Sequence, residues 1–269
     1  MNWADVERSF CRAVAFSFSK KKMMLTFPVL VLCGIFVVFC RAVAIGASDW
    51  IAMSLGFLPI LLSSGVLLAL GVLLIRIHMH EVKQLHLGFR RLIAGSVDLI
   101  MGTSYLAIPP ILAYLLLWVA LGLFFLLREI PGIGDFFSVV LAFGPFLLIF
   151  GSLLLCLFNL GLLFFVAPAA AFQPFKRASL SKRILILFQG RILSNIALFL
   201  LALAPILLVV GLLTLSAVLT HAAPVGPLSI AMAWFFIMVP FAAVLTPAVI
   251  FFFNFAAESY QLLHPKNVP

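Results

Sequence analysis

Six stretches of this chain contain no Asp, Glu, Lys, Arg or His: residues 23–40, 51–75, 99–127, 136–166, 192–220 and 230–255. No other feature constrains the fold as tightly. Roughly twenty apolar residues in a helix cross a ~30 Å hydrocarbon layer. Inside that layer a helix pairs its own backbone N–H and C=O groups, which lipid cannot do for it. Five of the runs are long enough as they stand. The first becomes so by continuing past Arg41 through Ala47, giving a span of about 23–47. The fourth must tilt, kink or project beyond the core. With 65% of residues hydrophobic and 9% charged, no stretch remains that could fold as a separate soluble domain. The expected fold is all-α: one integral membrane domain, residues 1–269, built as a bundle of six transmembrane helices.

The basic residues divide unevenly between the two ends of these spans. Arg8, Arg12, Lys20, Lys21 and Lys22 precede the first span. Arg76, Lys83, Arg90 and Arg91 lie between the second and third. Lys176, Arg177, Lys182, Arg183 and Arg191 lie between the fourth and fifth, and Lys266 follows the sixth. Only Arg41 and Arg128 fall at the other end. Short loops rich in Lys and Arg stay in the cytoplasm, so both termini are expected inside, in a bacterial-type cytoplasmic (inner) membrane. Trp50 and Trp234 suit the outer surface as aromatic anchors, and Trp3 and Tyr260 the inner one. The net charge of +9 then faces anionic lipid head groups, and a nucleic-acid partner is not expected. A rival reading takes residues 1–44 as a signal peptide cleaved after Ala42-x-Ala44. Arg41 and the length of the apolar run oppose it. Cys11, Cys33, Cys40 and Cys156 form no C-x-x-C and read as small apolar fillers.

Each pair of spans follows a basic segment containing Phe: Phe10-Cys11-Arg12, Phe89-Arg90-Arg91 and Phe175-Lys176-Arg177. Two of these segments read as interfacial amphipathic helices. In residues 2–19, Trp3, Val6, Phe10, Ala13 and Val14 share a face opposite Asp5, Arg8 and Arg12. In residues 76–92, Met79, Val82, Leu85, Phe89 and Leu92 form a stripe. The third, residues 174–190, has a less clean face. The alternative is that all three pack beneath the bundle. A threefold stub-plus-hairpin repeat would seat each Phe against the inner end of its own hairpin; chance recurrence of basic inner loops is the competing explanation.

Basic, Phe-containing stubs feeding proline-bearing pairs of spans resemble a bacterial six-span domain. That domain is fused to some glycerophosphodiester phosphodiesterases and has stand-alone relatives. Pro168-Ala169-Ala170 through Ser181, then Gly190-Arg191-Ile192, carry most of the likeness. The resemblance implies an architecture. The soluble catalytic barrel has no counterpart here, so its activity does not carry over.

Candidate chemistry is sparse. His78, His80 and His86 are the one local gathering of metal-ligand types. On a helix, however, His78 and His80 point about 200° apart, and His86 lies ~12 Å from His78 along the axis. A shared metal is therefore not expected, nor is a cofactor. No ionisable residue stands at mid-membrane depth, the usual mark of an ion pathway. Asp98, at the inner mouth of the third span, is expected to face Arg90, Arg91 or water. Asn159, Asn195 and Asn254 are expected to hydrogen-bond between helices. Pro109, Pro110, Pro205 and Pro240 are expected near mid-membrane, where broken helices could line a pathway or merely kink.

Three functional classes remain. A non-enzymatic scaffold or accessory subunit, handling lipid or apolar solutes alongside other membrane subunits, is preferred. A permease would need a cavity lined by Pro109, Pro205 and Pro240. A membrane-embedded lipid enzyme would need converging His, Asp and Glu side chains.

Overall fold

The computed structural model describes residues 3–47, 49–84, 96, 102–128, 130, 143–172, 192–220 and 227–263. Every regular element among them is helical. Helix α1 (Trp3–Ala15) runs through a 3-10 turn (Phe16–Phe18) into α2 (Lys20–Ala44). Then follow α3 (Asp49–Val82), α4 (Ile108–Arg128, entered through a 3-10 turn at Tyr105–Ala107), α5 (Gly144–Phe172), α6 (Ile192–Thr220) and α7 (Pro227–Leu263). Six of these, α2 to α7, are long and apolar enough to cross a membrane.

The apolar runs locate the spans but not their ends. Helix α3 continues without a break past Ile75 to Val82, and α7 continues past Phe255 to Leu263. Met79 and Val82, read from the sequence as part of a separate surface helix, are thus the last turns of the second span. Leu85, Phe89 and Leu92, the rest of that stripe, lie outside the described residues, as does the segment 174–190. Helix α5 begins at Gly144 and ends at Phe172, displaced from the 136–166 run.

Helices α3 and α7 form the centre. Helix α3 packs against α2, α4, α5 and α7; α7 packs against α1, α2, α3, α5 and α6. Lipid tails are as apolar as leucine, so close packing rather than water exclusion holds such helices together, and small residues permit it. A side chain at Gly71 would collide with the ring of Phe253, and one at Gly34 with Met238, so these glycines set the α3–α7 and α2–α7 approaches. Around them Phe164 meets Phe199 at 5.6 Å and Phe252 at 5.7 Å between ring centroids. Across the bundle, Tyr114 donates to the carbonyl of Ser54 at 2.6 Å, fixing α4 to α3. At the far end the Arg41 guanidinium lies 4.4 Å from the Trp234 ring, a cation–π contact joining α2 to α7.

Helix α1 lies against the end of the bundle where the N-terminus sits. Val6, Ser9 and Ala13 are buried, and the Phe10 ring packs at 5.0 Å from Phe251 and 6.0 Å from Phe255. This is the packed-beneath alternative, with the expected stripe only partly used. Trp3 is 80% exposed and Val14 38%, so a head-group anchor remains available at Trp3. Tyr260, read as a second anchor, is instead buried and stacked on Phe172 at 5.3 Å. Phe10 docks on α7, in the last hairpin rather than its own. Phe89 and Phe175 lie outside the described residues.

Candidate functional site

At that same end, α1, α2, α3 and α7 bring together residues that lie far apart in sequence. Lys22 occupies the first turn of α2 and has no exposed side-chain surface. Its Nζ lies 2.8 Å from Glu81 Oε2, 3.1 Å from Asn254 Oδ1 and 3.3 Å from His78 Nδ1, with the Phe16 carbonyl at 3.5 Å. The contact to Glu81 is a close ion pair. On its other edge, His78 Nε2 meets Glu258 Oε1 at 3.0 Å, and Arg12 reaches Glu258 Oε2 at 3.4 Å. Ser19 donates its hydroxyl to Glu81 Oε1 at 2.9 Å, and the Asn254 amide donates to the Ala13 carbonyl at 3.4 Å.

Local helix geometry explains how each element contributes. His78 and Glu81 are three residues apart on α3, and Asn254 and Glu258 four apart on α7, so each pair shares a face. Ser19 stands at the N-terminus of α2 with extended backbone, where its hydroxyl would ordinarily cap the helix. It makes no cap bond and serves Glu81 instead. The lid over the cluster is aromatic. Phe16 presents its ring edge-on to His78 at 5.5 Å and lies 5.6 Å from the Lys22 ammonium.

The partners of Lys22 and His78 fix where the protons sit. An ammonium has three protons and no acceptor, so His78 Nδ1 accepts from Lys22 and Nε2 carries the proton that it donates to Glu258. Lys22 thus has four acceptors within 3.5 Å for its three protons, of which Glu81, Asn254 and His78 are the nearest. The Asn254 amide is oriented consistently, oxygen toward Lys22 and nitrogen toward a carbonyl. Two carboxylates, Glu81 and Glu258, face two cations, Lys22 and Arg12, with His78 neutral, so the formal charge cancels. In low-dielectric surroundings an uncompensated charge would cost several kcal/mol or more, and a closed network of this kind avoids that.

Depth matters as much as chemistry. Counting from Ile51, His78 lies about 40 Å along α3 at ~1.5 Å per residue, beyond a hydrocarbon core of ~30 Å. The cluster thus sits at the bundle's end, and α1 and the 3-10 turn, not lipid, keep it from water.

Sequence reasoning found some of these residues and misjudged others. His78 is fully buried in the network. His80 points away from it, as the 200° divergence requires, and its Nδ1 is buried without a hydrogen-bond partner. His86 and Asp98 lie outside the described residues. Among the described residues no group of His, Cys, Asp or Glu is arranged to hold a metal ion, and the Lys22 ammonium between Glu81 and His78 would repel one. Asn254 does bond between helices, as expected of it. Arg12, assigned to the water-facing side of α1, is half-exposed there and also reaches Glu258. From the sequence Lys22 reads only as a topology-setting charge, Glu81 only as a neighbour of the histidines, and Glu258 carries no signal by itself. A joint signal was available: Asn254 interrupts a run of phenylalanines, and Glu258 follows one turn later on the same face.

Pro109 and Pro110 follow the 3-10 turn at Tyr105–Ala107, which interrupts the span Gly102–Leu123. Pro110 is buried, whereas Pro109 and Pro240 are exposed. Pro205 lies within α6. An apolar cavity of about 630 Å³ opens between α5 and α6, and none of these prolines lines it.

Fold and site together define an integral membrane protein of six long apolar helices, with a charge-balanced cluster around the buried Lys22 and His78 at one end. No protein-family model, curated protein or solved structure matches the chain.

Proposed function

We propose that this chain is a non-enzymatic scaffold or accessory subunit of a bacterial-type cytoplasmic membrane, with both termini inside and its basic end against anionic lipid. The cluster acts as a fastener: it holds α1 onto α2, α3 and α7 and so gives the inner face a fixed shape that other membrane subunits or lipids can meet. One observation carries this reading. Every polar atom of Lys22 and His78 already has a partner within the chain. A general base needs one imidazole nitrogen free for a nucleophile or substrate, and here neither is free. A proton pathway needs titratable groups continuing toward mid-membrane, and the cluster stands at the bundle's end instead.

The convergence of His78, Glu81 and Glu258 favours a second reading, a lipid-cleaving enzyme at the inner interface. Both readings meet the same experiment. Purified protein in proteoliposomes with an internal pH dye and labelled phospholipid should show proton flux and lipid turnover no greater than protein-free vesicles. Flux or turnover that disappears in Lys22→Met or Glu258→Gln would replace the fastener with a pathway or an active site.

A further inference from the structure

By ordinary side-chain values, His78 is the member of the cluster whose charge changes between about pH 5 and 8. Free carboxylates titrate near ~4, and Lys and Arg above ~10. The folded cluster holds the ring neutral. Its Nδ1 accepts from the Lys22 ammonium at 3.3 Å, so a second ring proton would set two charged donors face to face. Its Nε2 donates to Glu258 at 3.0 Å. Among the described residues, the charges acting on the ring are Lys22 of α2, Glu258 of α7 and Glu81 of its own helix. Arg12 of α1 stands behind Glu258. The 3-10 turn presents the uncharged Phe16 ring, and α4 and α5, also packed on α3, bring no charge to His78.

A proton added here leaves three cations for two carboxylates, and burial decides which cation gives way. Lys22 and His78 have no exposed side-chain surface, whereas Arg12 is 47% exposed. An imidazolium satisfies Glu258 by itself through Nε2, and Arg12 becomes the surplus charge. Arg12 is also the only one of the three that regains water by moving outward, and it moves with α1. The same movement withdraws the Ala13 carbonyl from Asn254 and the Phe16 ring from His78. The charged ring then meets water. Only the seat of Phe10 on Phe251 and Phe255 opposes the release.

We infer that His78 puts the attachment of α1 under proton control: the helix is clamped while the ring is neutral and released on acidification, uncovering the α7 face around Phe251, Phe255 and Glu258. This deepens the fastener reading above and rests on it. The released state binds the extra proton and the clamped state does not. Clamping is therefore complete above pH ~6.5, where a free imidazole is neutral, and weakens below it. From about pH 7.5 to 5.5 the ratio of released to clamped molecules rises about tenfold. Carboxylates in water stay almost fully ionised over that range, so Glu81 and Glu258 add little to the change.

Hydrogen–deuterium exchange of the whole protein in lipid nanodiscs reads the release, because a free helix of 13 residues is marginal in water. Exchange rates within Trp3–Ala15 are divided by the intrinsic amide rate at each pH. The protection so obtained should fall about tenfold from about pH 7.5 to 5.5 in the wild type. His78→Gln keeps an acceptor for Lys22 and a donor for Glu258 but cannot titrate, and its protection should change less than about twofold. Arg12→Gln leaves two cations for two carboxylates once His78 charges. It should be less protected throughout and lose the pH dependence, and it carries the comparison if His78→Gln does not fold. Wild-type protection that is constant with pH, or a fall as steep in either variant, would overturn the proton control. Glu258→Leu separates that failure from failure of the fastener, because it should already lose protection at about pH 7.5. If it does so while the wild type ignores pH, the fastener stands without its proton. Full protection in Glu258→Leu would remove both.

Discussion

Replacing Lys22 by Met removes the one ammonium that three helices share. The substitution keeps the apolar stem, so packing against Phe16 is largely preserved and the loss is electrostatic. Glu81 then loses its ion pair at 2.8 Å, and Asn254 Oδ1 and His78 Nδ1 lose their donor. Breaking a buried pair by removing one partner costs about 3–5 kcal/mol. Glu81 keeps 22% of its side chain exposed and can draw in water, which places the loss near the lower end, about 3 kcal/mol. Removing both charges behaves differently, because a pair replaced by apolar side chains is often neutral. Lys22→Met combined with Glu81→Leu should therefore recover much of the loss, leaving the double variant clearly less destabilised than the sum of its singles. Unfolding in mixed micelles of rising SDS fraction, followed by circular dichroism, measures all four corners of the cycle. A Lys22→Met variant within about 0.5 kcal/mol of wild type, or a double variant equal to the sum of its singles, would refute the buried pair.

Three further expectations follow from the packing and the charge division. Gly71→Val should destabilise by about 1–3 kcal/mol through overpacking against Phe253, and Phe253→Ala in the same chain should return part of it, read by the same SDS titration. Phe10→Ala, which strips α1 of its contacts with Phe251 and Phe255, should cost about 2 kcal/mol, below the range for a fully buried ring. Arg8→Ala on its exposed face should leave unfolding unchanged. With native cysteines removed, cysteines at Ser48, Gly134 and Val225 should label from outside intact cells. Those at Gln84 and Ser179 should label only after permeabilisation, and outside labelling of Gln84 would invert the topology.

The six spans were legible because a charge-free run is a local property, and lipid imposes it on every residue facing the core. Helix ends were not, for a specific reason. A run stops at its first ionisable residue, whereas α3 and α7 continue through His78, Glu81 and Glu258, whose charges are neutralised by other helices. Lys22 illustrates the same limit. Among five basic residues before the first span it looks interchangeable with Lys20 and Lys21, which are exposed. Its distinction arises from Asn254, 232 residues away, and from His78, 56 residues away. His78 itself was weighed as a metal ligand with His80 and His86 because these are its sequence neighbours. Its actual partner on Nε2 is Glu258, 180 residues away. The expected stripe of α1 failed at Trp3 and Val14 because the helix packs under the bundle along a narrower face, through Val6, Ser9, Phe10 and Ala13.

The fastener itself is tested most directly by measuring whether the charge network holds α1 in place. Native Cys11 is exposed on α1 and accepts a nitroxide once Cys33, Cys40 and Cys156 are replaced. A second nitroxide at Leu262→Cys reports from the end of α7, and double electron–electron resonance gives the distance between them in lipid nanodiscs. The wild type should show one narrow distribution, and so should the Arg8→Ala control. Glu258→Leu, which releases both Arg12 and His78 while leaving Phe10 on its aromatic seat, should broaden the distribution and shift it to longer distances. A narrow, unshifted distribution in Glu258→Leu, with circular dichroism unchanged, would mean that the buried charges do not fasten α1.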